Sequence, residues 1–332
     1  MLGYIVQRLL IMIPTLIAIS IIVFVIMKLP PGDYFSTYIA ELQSQGEAVD
    51  LQKIAFLKAQ YGFDKPIWEQ YLYWVGGLLR GDLGYSFAYN LPVSDVVGDR
   101  LFLTVVVSVA TVIFTYVVAF PIGIYSATHQ YSWSDHTLTL VGFLGLATPN
   151  FLLALVLLYL ANVYLGLSIG GLMDPRYLDA PWSVGKALSV LSHLWIPVIV
   201  IGLSGTAGMI RRLRANLLDE LQKQYVTTAR AKGVPPFRAL MKYPLRMALN
   251  PFISDIGSLL PHIISGAAVV SVVLSLPTTG PMLLEALRSQ DMYLAGSFLM
   301  FLAALTVIGM FISDLALAAL DPRIRLSGGV TR

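Results

Sequence analysis

Six stretches of this sequence contain no Asp, Glu, Lys or Arg, and each is at least about as long as a membrane span. They cover residues 9–27, 101–128, 137–173, 187–210, 256–284 and 292–313. An α-helix needs about 20 apolar residues to cross the hydrocarbon core of a bilayer. Charged residues make up only 12% of the chain, whereas they make up roughly a quarter of a soluble domain. The sequence therefore predicts an all-α integral membrane protein rather than a soluble enzyme.

Allowing for turns at the ends of these stretches, we expect six transmembrane helices. Their predicted positions are near residues 9–29, 101–127, 137–161, 190–210, 249–275 and 294–318. We expect the first to be a retained helix and not a secretory signal, because its apolar core is long. Cysteine is absent, so disulfides and thiolate metal sites are excluded.

The basic residues between the fourth and fifth predicted helices set the expected orientation. Short loops rich in Lys and Arg stay on the cytoplasmic side of a membrane. This loop contains two acidic residues and the following basic ones: Arg211, Arg212, Arg214, Lys223, Arg230, Lys232, Arg238, Lys242 and Arg246. With six spans, both termini are then also cytoplasmic.

This orientation divides the chain into four parts. They are an N-terminal tail with the first helix at 1–29, a small extracytoplasmic domain at 30–98, a transmembrane core at 99–320 that includes the basic cytoplasmic region 211–246, and a cytoplasmic tail at 321–332. Within the extracytoplasmic domain, Pro66 suits the first turn of a helix, and the Gly-Asp-Leu-Gly segment 81–84 suits its end.

A helix–glycine–helix pattern lies within the basic region. Gly233 is placed to end one helix at its C-terminal cap, and Pro235 and Pro236 can open a second. On that second helix, Phe237 and Met241 share one side. Its cations suit the membrane surface, where they attract anionic lipid. The short apolar stripes also predict a compact knob that fits a groove on a soluble partner.

Two specific functions for such a membrane protein remain open at this point. The string Gly202-Leu203-Ser204-Gly205, with His262 on another helix, fits an intramembrane serine protease, although small residues are also common wherever membrane helices pack closely. A secondary, ion-coupled transporter would use intramembrane ionisable groups such as Asp255, His262 or Asp314. We find no convincing internal repeat of the kind such transporters often show.

An ordered set of short strings carries a resemblance that covers the chain almost end to end. The strings are Tyr-Ile-Val-Gln-Arg-Leu-Leu at 4–10, Leu-Pro-Pro-Gly-Asp at 29–33, Tyr-Gly-Phe-Asp-Lys-Pro at 61–66, Gly-Asp-Leu-Gly-Tyr-Ser at 81–86, Tyr-Val-Thr-Thr-Ala-Arg-Ala-Lys-Gly at 225–233 and Asp-Pro-Arg-Ile-Arg at 321–325. Together they resemble the permease subunits of ATP-binding-cassette (ABC) importers, in the branch that handles dipeptides, oligopeptides and nickel. The chain resembles the first permease of the pair, which implies the type I ABC importer permease fold.

The resemblance implies roles for individual residues. Residues 225–233 are similar to the family's coupling signature, which docks on an ATPase, although Thr227 stands where the broader superfamily has Glu. The residues implied for coupling are Thr227, Thr228, Ala229, Arg230, Gly233, Pro235 and Phe237. Polar groups in spanning helices usually face the protein interior. The resulting candidates for lining a translocation path are Asn150, Ser204, Asp255, Ser258 and His262.

The resemblance also implies companions and a location. The expected partners are a second homologous permease, two ABC ATPase subunits or domains, an extracytoplasmic solute-binding protein and membrane lipid, with no nucleic acid. ATP and magnesium belong to the ATPases, and this chain itself needs no cofactor. The expected location is the bacterial or archaeal cytoplasmic membrane. Ser271 and the segment 276–281 resemble members associated with oligosaccharides, so peptides and oligosaccharides both remain possible solutes.

Overall fold

The structure is a computed structural model, and it describes most of the chain. The described residues are 2–30, 32, 34–36, 39, 43, 51–165, 170–177, 180–253, 255 and 267–320. They are mostly helical, as the long apolar stretches predict. They fall into two compact units, the first formed by Met1–Leu103 with Thr278–Phe311 and the second by Thr104–Pro277 with Ile312–Arg332.

The first unit combines a long apolar helix with short helices and one hairpin. Its elements are α1 (Leu2–Lys28), α2 (Leu51–Gln60), α3 (Ile67–Leu79), the antiparallel strands β1 (Tyr85–Ser86) and β2 (Leu91–Pro92), the start of α4 (Val93–Thr128), then α12 (Thr279–Arg288) and most of α13 (Met292–Leu320). The predicted helix after Pro66 is α3, and Gly81 follows its end at φ +80°.

Contacts between α3 and α1 organise this unit. Trp74 is buried and its ring lies 6.0 Å from that of Phe24, while the hydroxyls of Tyr71 and Ser20 are 2.8 Å apart. Trp68, on the same helix, is exposed. The aromatic residues of α3 therefore divide into a face that packs against α1 and a face that is open.

The second unit holds the remaining helices. They are the rest of α4, α5 (Trp133–Ala147), α6 (Asn150–Leu165), α7 (Val184–Leu221), α8 (Gln224–Ala231), α9 (Pro236–Lys242), α10 (Pro244–Ala248), α11 (Ala268–Val273) and the end of α13. A short 3-10 turn at Pro175–Tyr177 precedes α7. Helix α7 is 38 residues long and extends well past residue 210, where the fourth span was predicted to end. Arg211, Arg212 and Arg214 are therefore part of a helix and not of a loop.

The prediction of one continuous helix over 137–161 is wrong. Helices α5 and α6 meet at an angle of 100°. Thr148 and Pro149 separate them, and Thr148 has an extended backbone. Proline lacks the N–H that a helix needs and disfavours a helical conformation in the residue before it, so the chain turns sharply here.

The described residues contain four helices that are long and apolar enough to cross a membrane, namely α1, α4, α7 and α13. The bent pair α5–α6 makes five if it is one span. The fifth predicted helix, 249–275, includes residues 254 and 256–266, which lie outside the described residues. The helical, membrane-spanning class is thus supported, and the number of six spans stays a prediction.

Candidate functional site

The turn after α8 is formed by a glycine in a left-handed conformation. Gly233 has φ +73°, and its amide donates to the carbonyl of Arg230 at 2.9 Å. The amide of Val234 donates to the carbonyl of Ala229 at 3.2 Å. These two bonds form a Schellman motif, which satisfies carbonyls at the helix end and favours glycine at this position. The predicted stop at Gly233 is confirmed.

A second helix opens three residues later. Pro235 caps α9, Pro236 is its first residue, and the carbonyl of Pro235 accepts from the amide of Ala239 at 2.8 Å. Proline suits this position because its fixed φ is helical and its missing N–H would have had no partner. We call residues 224–242, which comprise α8, the glycine turn and α9, the coupling element, after the role that the resemblance implies for them.

The predicted coupling residues divide by exposure. Ala229 is buried together with Val226, on the inner side of α8. The others, which are exposed, are Thr227, Thr228, Arg230, Gly233, Pro235 and Phe237. Phe237 is 74% exposed. The element thus presents one large apolar side chain and several polar ones to its surroundings.

An apolar cluster joins α7 to the short helices that follow. Leu213 and Leu217 of α7 are fully buried against Leu245 and Ala248 of α10. The cluster also includes Ala119, Ala127, Met209 and Phe252, and Leu240 of α9 packs against it. The coupling element therefore packs against the end of α7 through Leu240 of α9, and α10, which follows the element, packs against the same part of α7. A displacement of the element would thus act on α7.

Two ion pairs lie next to this cluster. Arg214 of α7 binds Asp135 of α5, with 2.8 Å between Nη2 and Oδ2. Arg212 pairs with Asp255 at 2.5 Å, and its guanidinium lies 4.6 Å from the ring centre of Phe252. Sequence reasoning assigned these arginines to orientation and to the membrane surface and missed Asp135, whose partner is 79 residues away in the chain.

The junction between α7 and α8 has its own polar contact. The hydroxyl of Tyr225 donates to the carboxylate of Glu220. Burial and this hydrogen bond to an anion together raise the pKa of Tyr225 to about 12, so the phenol stays protonated. The contact ties the first turn of the coupling element back to the last turn of α7.

The predicted path residues that the structure describes lie on separate segments of the chain. Asn150 is the first residue of α6, directly after the bend, and Ser204 lies midway along α7; both are half-buried. The carboxylate of Asp255 forms an ion pair with Arg212. Ser258 and His262 lie outside the described residues. No three His, Asp or Glu side chains among the described residues are placed to hold a metal ion.

The Gly-Leu-Ser-Gly string at 202–205 lies inside the continuous helix α7. A Cβ on Gly202 would stand 2.7 Å from the ring of Phe114 on α4, and the hydroxyl of Thr115 lies 3.5 Å from the carbonyl of Gly202. Small residues here allow two helices to approach closely. This close packing explains the glycine at residue 202, so the string does not require a catalytic serine.

Comparison with known proteins covers nearly the whole chain. Residues 119–326 match the family described as binding-protein-dependent transport system inner membrane component, and residues 1–110 match the N-terminal family of the same systems. The chain is 34% identical to the oligopeptide transport system permease protein AppB of Bacillus subtilis, over 98% of this chain and 99% of that protein. It is 30% identical to the dipeptide transport system permease protein DppB of Escherichia coli K12, over 98% and 99%. The di/tripeptide transport system permease protein DppB of Pseudomonas aeruginosa is also 30% identical, over the same shares.

Proposed function

The chain belongs to the binding-protein-dependent transport system inner membrane components, and on that premise we propose that the coupling element, residues 224–242, docks on an ATPase and drives the passage of peptides across the membrane. The chain is a permease subunit of an ABC importer and not an enzyme. Transport in such systems depends on an ATPase and on a solute-binding protein, which are separate from the permease.

The observation that carries the docking proposal is the exposed ring of Phe237. Burying such a ring against a partner is worth roughly 1.5–3 kcal/mol, which is enough to make it an anchor for an interface. Proline and glycine hold this ring on a short, fixed helix. An apolar anchor on a pre-organised helix loses little conformational entropy on binding, which favours insertion into a groove.

Charge supports the same interface. The exposed basic residues of the element are Arg230, Lys232, Arg238 and Lys242. Positive charge around an apolar anchor favours a partner whose groove is lined by acidic residues and speeds their encounter. The excess of Lys and Arg also favours a cytoplasmic location for this region, with both termini on the same side.

The proposed complex is a heterodimer with a second homologous permease and two ATPase subunits or domains. Residues 30–98 would then face outwards and receive the solute-binding protein. The open face of α3, which includes Trp68 and Leu72, offers apolar surface there. Asn150 and Ser204 are proposed to line part of the path, because each is half-buried on a spanning segment.

Peptides are the preferred solute class because the relatives described above are named for oligopeptide, dipeptide and di/tripeptide transport. Oligosaccharides were suggested by Ser271 and the segment 276–281. Ser271 is buried within this chain, with its amide bonded to Ala267, so its side chain is poorly placed to recognise a sugar.

The docking proposal is tested by replacing the anchor in the assembled importer. Phe237→Asp should sharply reduce the ATPase that co-purifies with the permease and should abolish peptide uptake into proteoliposomes. Phe56→Asp is the matched control, because Phe56 is 67% exposed but lies on α2, in the segment predicted to be extracytoplasmic. Unchanged ATPase recovery and uptake in Phe237→Asp would overturn the proposal.

A further inference from the structure

Asp135 accepts hydrogen bonds from two helices, α4 and α7, and from the turn that connects α4 to α5, and its carboxylate is buried. Arg214 of α7 donates through Nε to Oδ1 at 3.2 Å and through Nη2 to Oδ2 at 2.8 Å. The hydroxyl of Ser126, near the end of α4, donates to Oδ1. The amide of Tyr131, in the turn between α4 and α5, donates to Oδ2 at 3.0 Å.

This arrangement fixes positions more strictly than apolar packing does. A forked guanidinium–carboxylate contact has a defined geometry, whereas apolar surfaces tolerate sliding. Tyr131 itself is held at φ +63°, an unusual conformation for a residue other than glycine. Ser132 caps the first turn of α5 through a bond from the amide of Asp135, at 3.1 Å. The start of α5 is therefore fixed to both α4 and α7.

The same part of α7 carries the coupling element. Leu213 adjoins Arg214 in sequence, and Leu217 lies one turn further on; both are fully buried in the cluster that includes Leu245 of α10. A force applied to the coupling element would reach this turn of α7 through that cluster. Arg214 lies where that force would pass from α7 to α5.

At its other end, α5 leads into the bend at Pro149. The first residue beyond the bend is Asn150, which is one of the proposed path residues. A movement of α5 would therefore displace the start of α6, because only Thr148 and Pro149 separate the two helices. The ion pair thus lies on a continuous physical route from the coupling element to a polar residue of a spanning helix.

We propose that Asp135 is a positioning residue for ATP-driven transport, whose ion pair with Arg214 makes α5 move together with α7 when the coupling element is displaced. This inference rests on the proposed role of residues 224–242. It assigns the pair to the transmission of movement, with no contact to ATP or to the solute.

The test measures peptide transported per ATP hydrolysed by the complete importer in proteoliposomes. Asp135→Asn should leave ATP hydrolysis largely intact and lower the transport ratio by about tenfold, a typical coupling between two sites. Arg214→Met should do the same. The double variant should be no worse than either single one, because residues that act as a unit are non-additive.

Asp174→Asn is the matched control. Asp174 forms an exposed ion pair with Arg176 at 2.8 Å, on the loop before α7, and its replacement should leave the ratio unchanged. If Asp135→Asn reduces assembly, hydrolysis and transport in parallel at a constant ratio, the pair is only structural and the inference is overturned. Should Asp135→Asn fail to assemble, Ser126→Ala and Arg214→Lys each change one donor residue and leave Asp135 in place; wild-type ratios in both would overturn the inference.

Phe237→Asp in the same assay separates the two proposals. If Phe237→Asp has no effect on ATPase recovery, the docking proposal fails and Asp135 has nothing to transmit. If Phe237→Asp prevents coupling while Asp135→Asn retains the wild-type ratio, the docking proposal stands and the inference about Asp135 alone is overturned.

Discussion

The amide of Val234 donates a hydrogen bond to the carbonyl of Ala229, with 3.2 Å between nitrogen and oxygen. This bond is possible only because the chain reverses at Gly233 through a left-handed conformation. It determines the direction in which α9 leaves α8. The orientation of Phe237, the proposed anchor, therefore depends on one backbone angle.

Gly233→Val should distort this turn and reduce coupled transport. A Cβ on Gly233 would meet no atom within 4 Å, so the cost comes from the backbone alone. That cost is about 1–2 kcal/mol for a non-glycine residue in this region. Uptake and ATP hydrolysis are measured together, and hydrolysis should persist while uptake falls.

Two controls separate conformation from size at this turn. Gly233→Asn should be tolerated better, because Asn adopts the left-handed region more readily than β-branched residues do. Gly76→Ala, within α3, also meets open space but has a helical backbone, so it should not lower stability. Normal coupling in Gly233→Val would show that the turn geometry is unimportant.

Leu217→Ala should destabilise the apolar cluster through which the coupling element packs against α7. The side chain of Leu217, on α7, is fully buried against α10. Truncating a buried leucine to alanine lowers the free energy of unfolding by about 2–5 kcal/mol. Thermal unfolding of the purified protein in detergent measures the effect. Leu188→Ala is the comparison, because Leu188 is on the same helix but exposed, and surface changes usually stay within about 0.5 kcal/mol. Equal effects of the two would contradict the packing described here.

Gly84→Ala should be far more damaging to the first unit than Gly81→Ala. Both glycines have positive φ, but a Cβ on Gly84 would stand 2.3 Å from the ring of Tyr293, whereas one on Gly81 would meet nothing within 4 Å. The Tyr293 ring is buried, and its hydroxyl donates to the carbonyl of Tyr61 at 2.7 Å, so it cannot swing away freely.

The difference between the two variants isolates the steric clash from the backbone cost. We expect a loss of about 1 kcal/mol for Gly81→Ala and of about 3 kcal/mol for Gly84→Ala, since overpacking adds to the conformational cost. Limited proteolysis of residues 51–98 monitors the local unit. Similar resistance in both variants would contradict the close contact with Tyr293.

Asp291 should make the stability of the first unit depend on pH. Its carboxylate is buried and accepts from the hydroxyl of Ser86 at 2.7 Å and the amide of Ala88 at 3.1 Å. Burial is the largest influence, and it raises the pKa of Asp291 above 3.8 despite these hydrogen bonds. The folded state therefore holds the proton more tightly than the unfolded state does.

The sign of the pH effect follows from this raised pKa. Asp291 makes its whole contribution to the free energy of unfolding below pH 3.8, and this contribution declines as the pH rises through the raised pKa. The wild type should therefore gain stability relative to Asp291→Asn as the pH falls from neutral towards 3.8. Chemical unfolding of the two proteins across this range measures the difference, and a constant difference would refute the assignment.

Features set by neighbouring residues were predictable from the sequence. The turn at Gly233 and the helix starts after Pro66 and Pro235 follow from glycine and proline, whose conformational limits act within a few residues. The bend at Thr148 and Pro149 had the same local signal, but the long apolar run around it favoured one uninterrupted helix. Hydropathy measures how readily a segment enters a membrane and carries no information about the direction in which the helix axis runs.

Features that depend on distant partners were not predictable. The pairing of Asp135 with Arg214 joins residues on different helices, and a count of charges by loop treats each of them separately. The division of α3 into a buried face with Trp74 and an open face with Trp68 depends on where α1 lies. A single sequence records neither contact, because helical periodicity alone does not say which apolar stripe meets a neighbour.

Cross-linking from the position of Phe237 tests the central claim most directly. The chain contains no cysteine, so a Phe237→Cys variant carries a single thiol. A thiol-to-amine cross-linker applied to the assembled importer should join this position to the ATPase, and an impermeant thiol reagent added outside intact cells should not label it. The Phe56→Cys variant should give the opposite pattern. External labelling of Phe237→Cys, or ATPase cross-linking from Phe56→Cys alone, would contradict the account of a cytoplasmic coupling element.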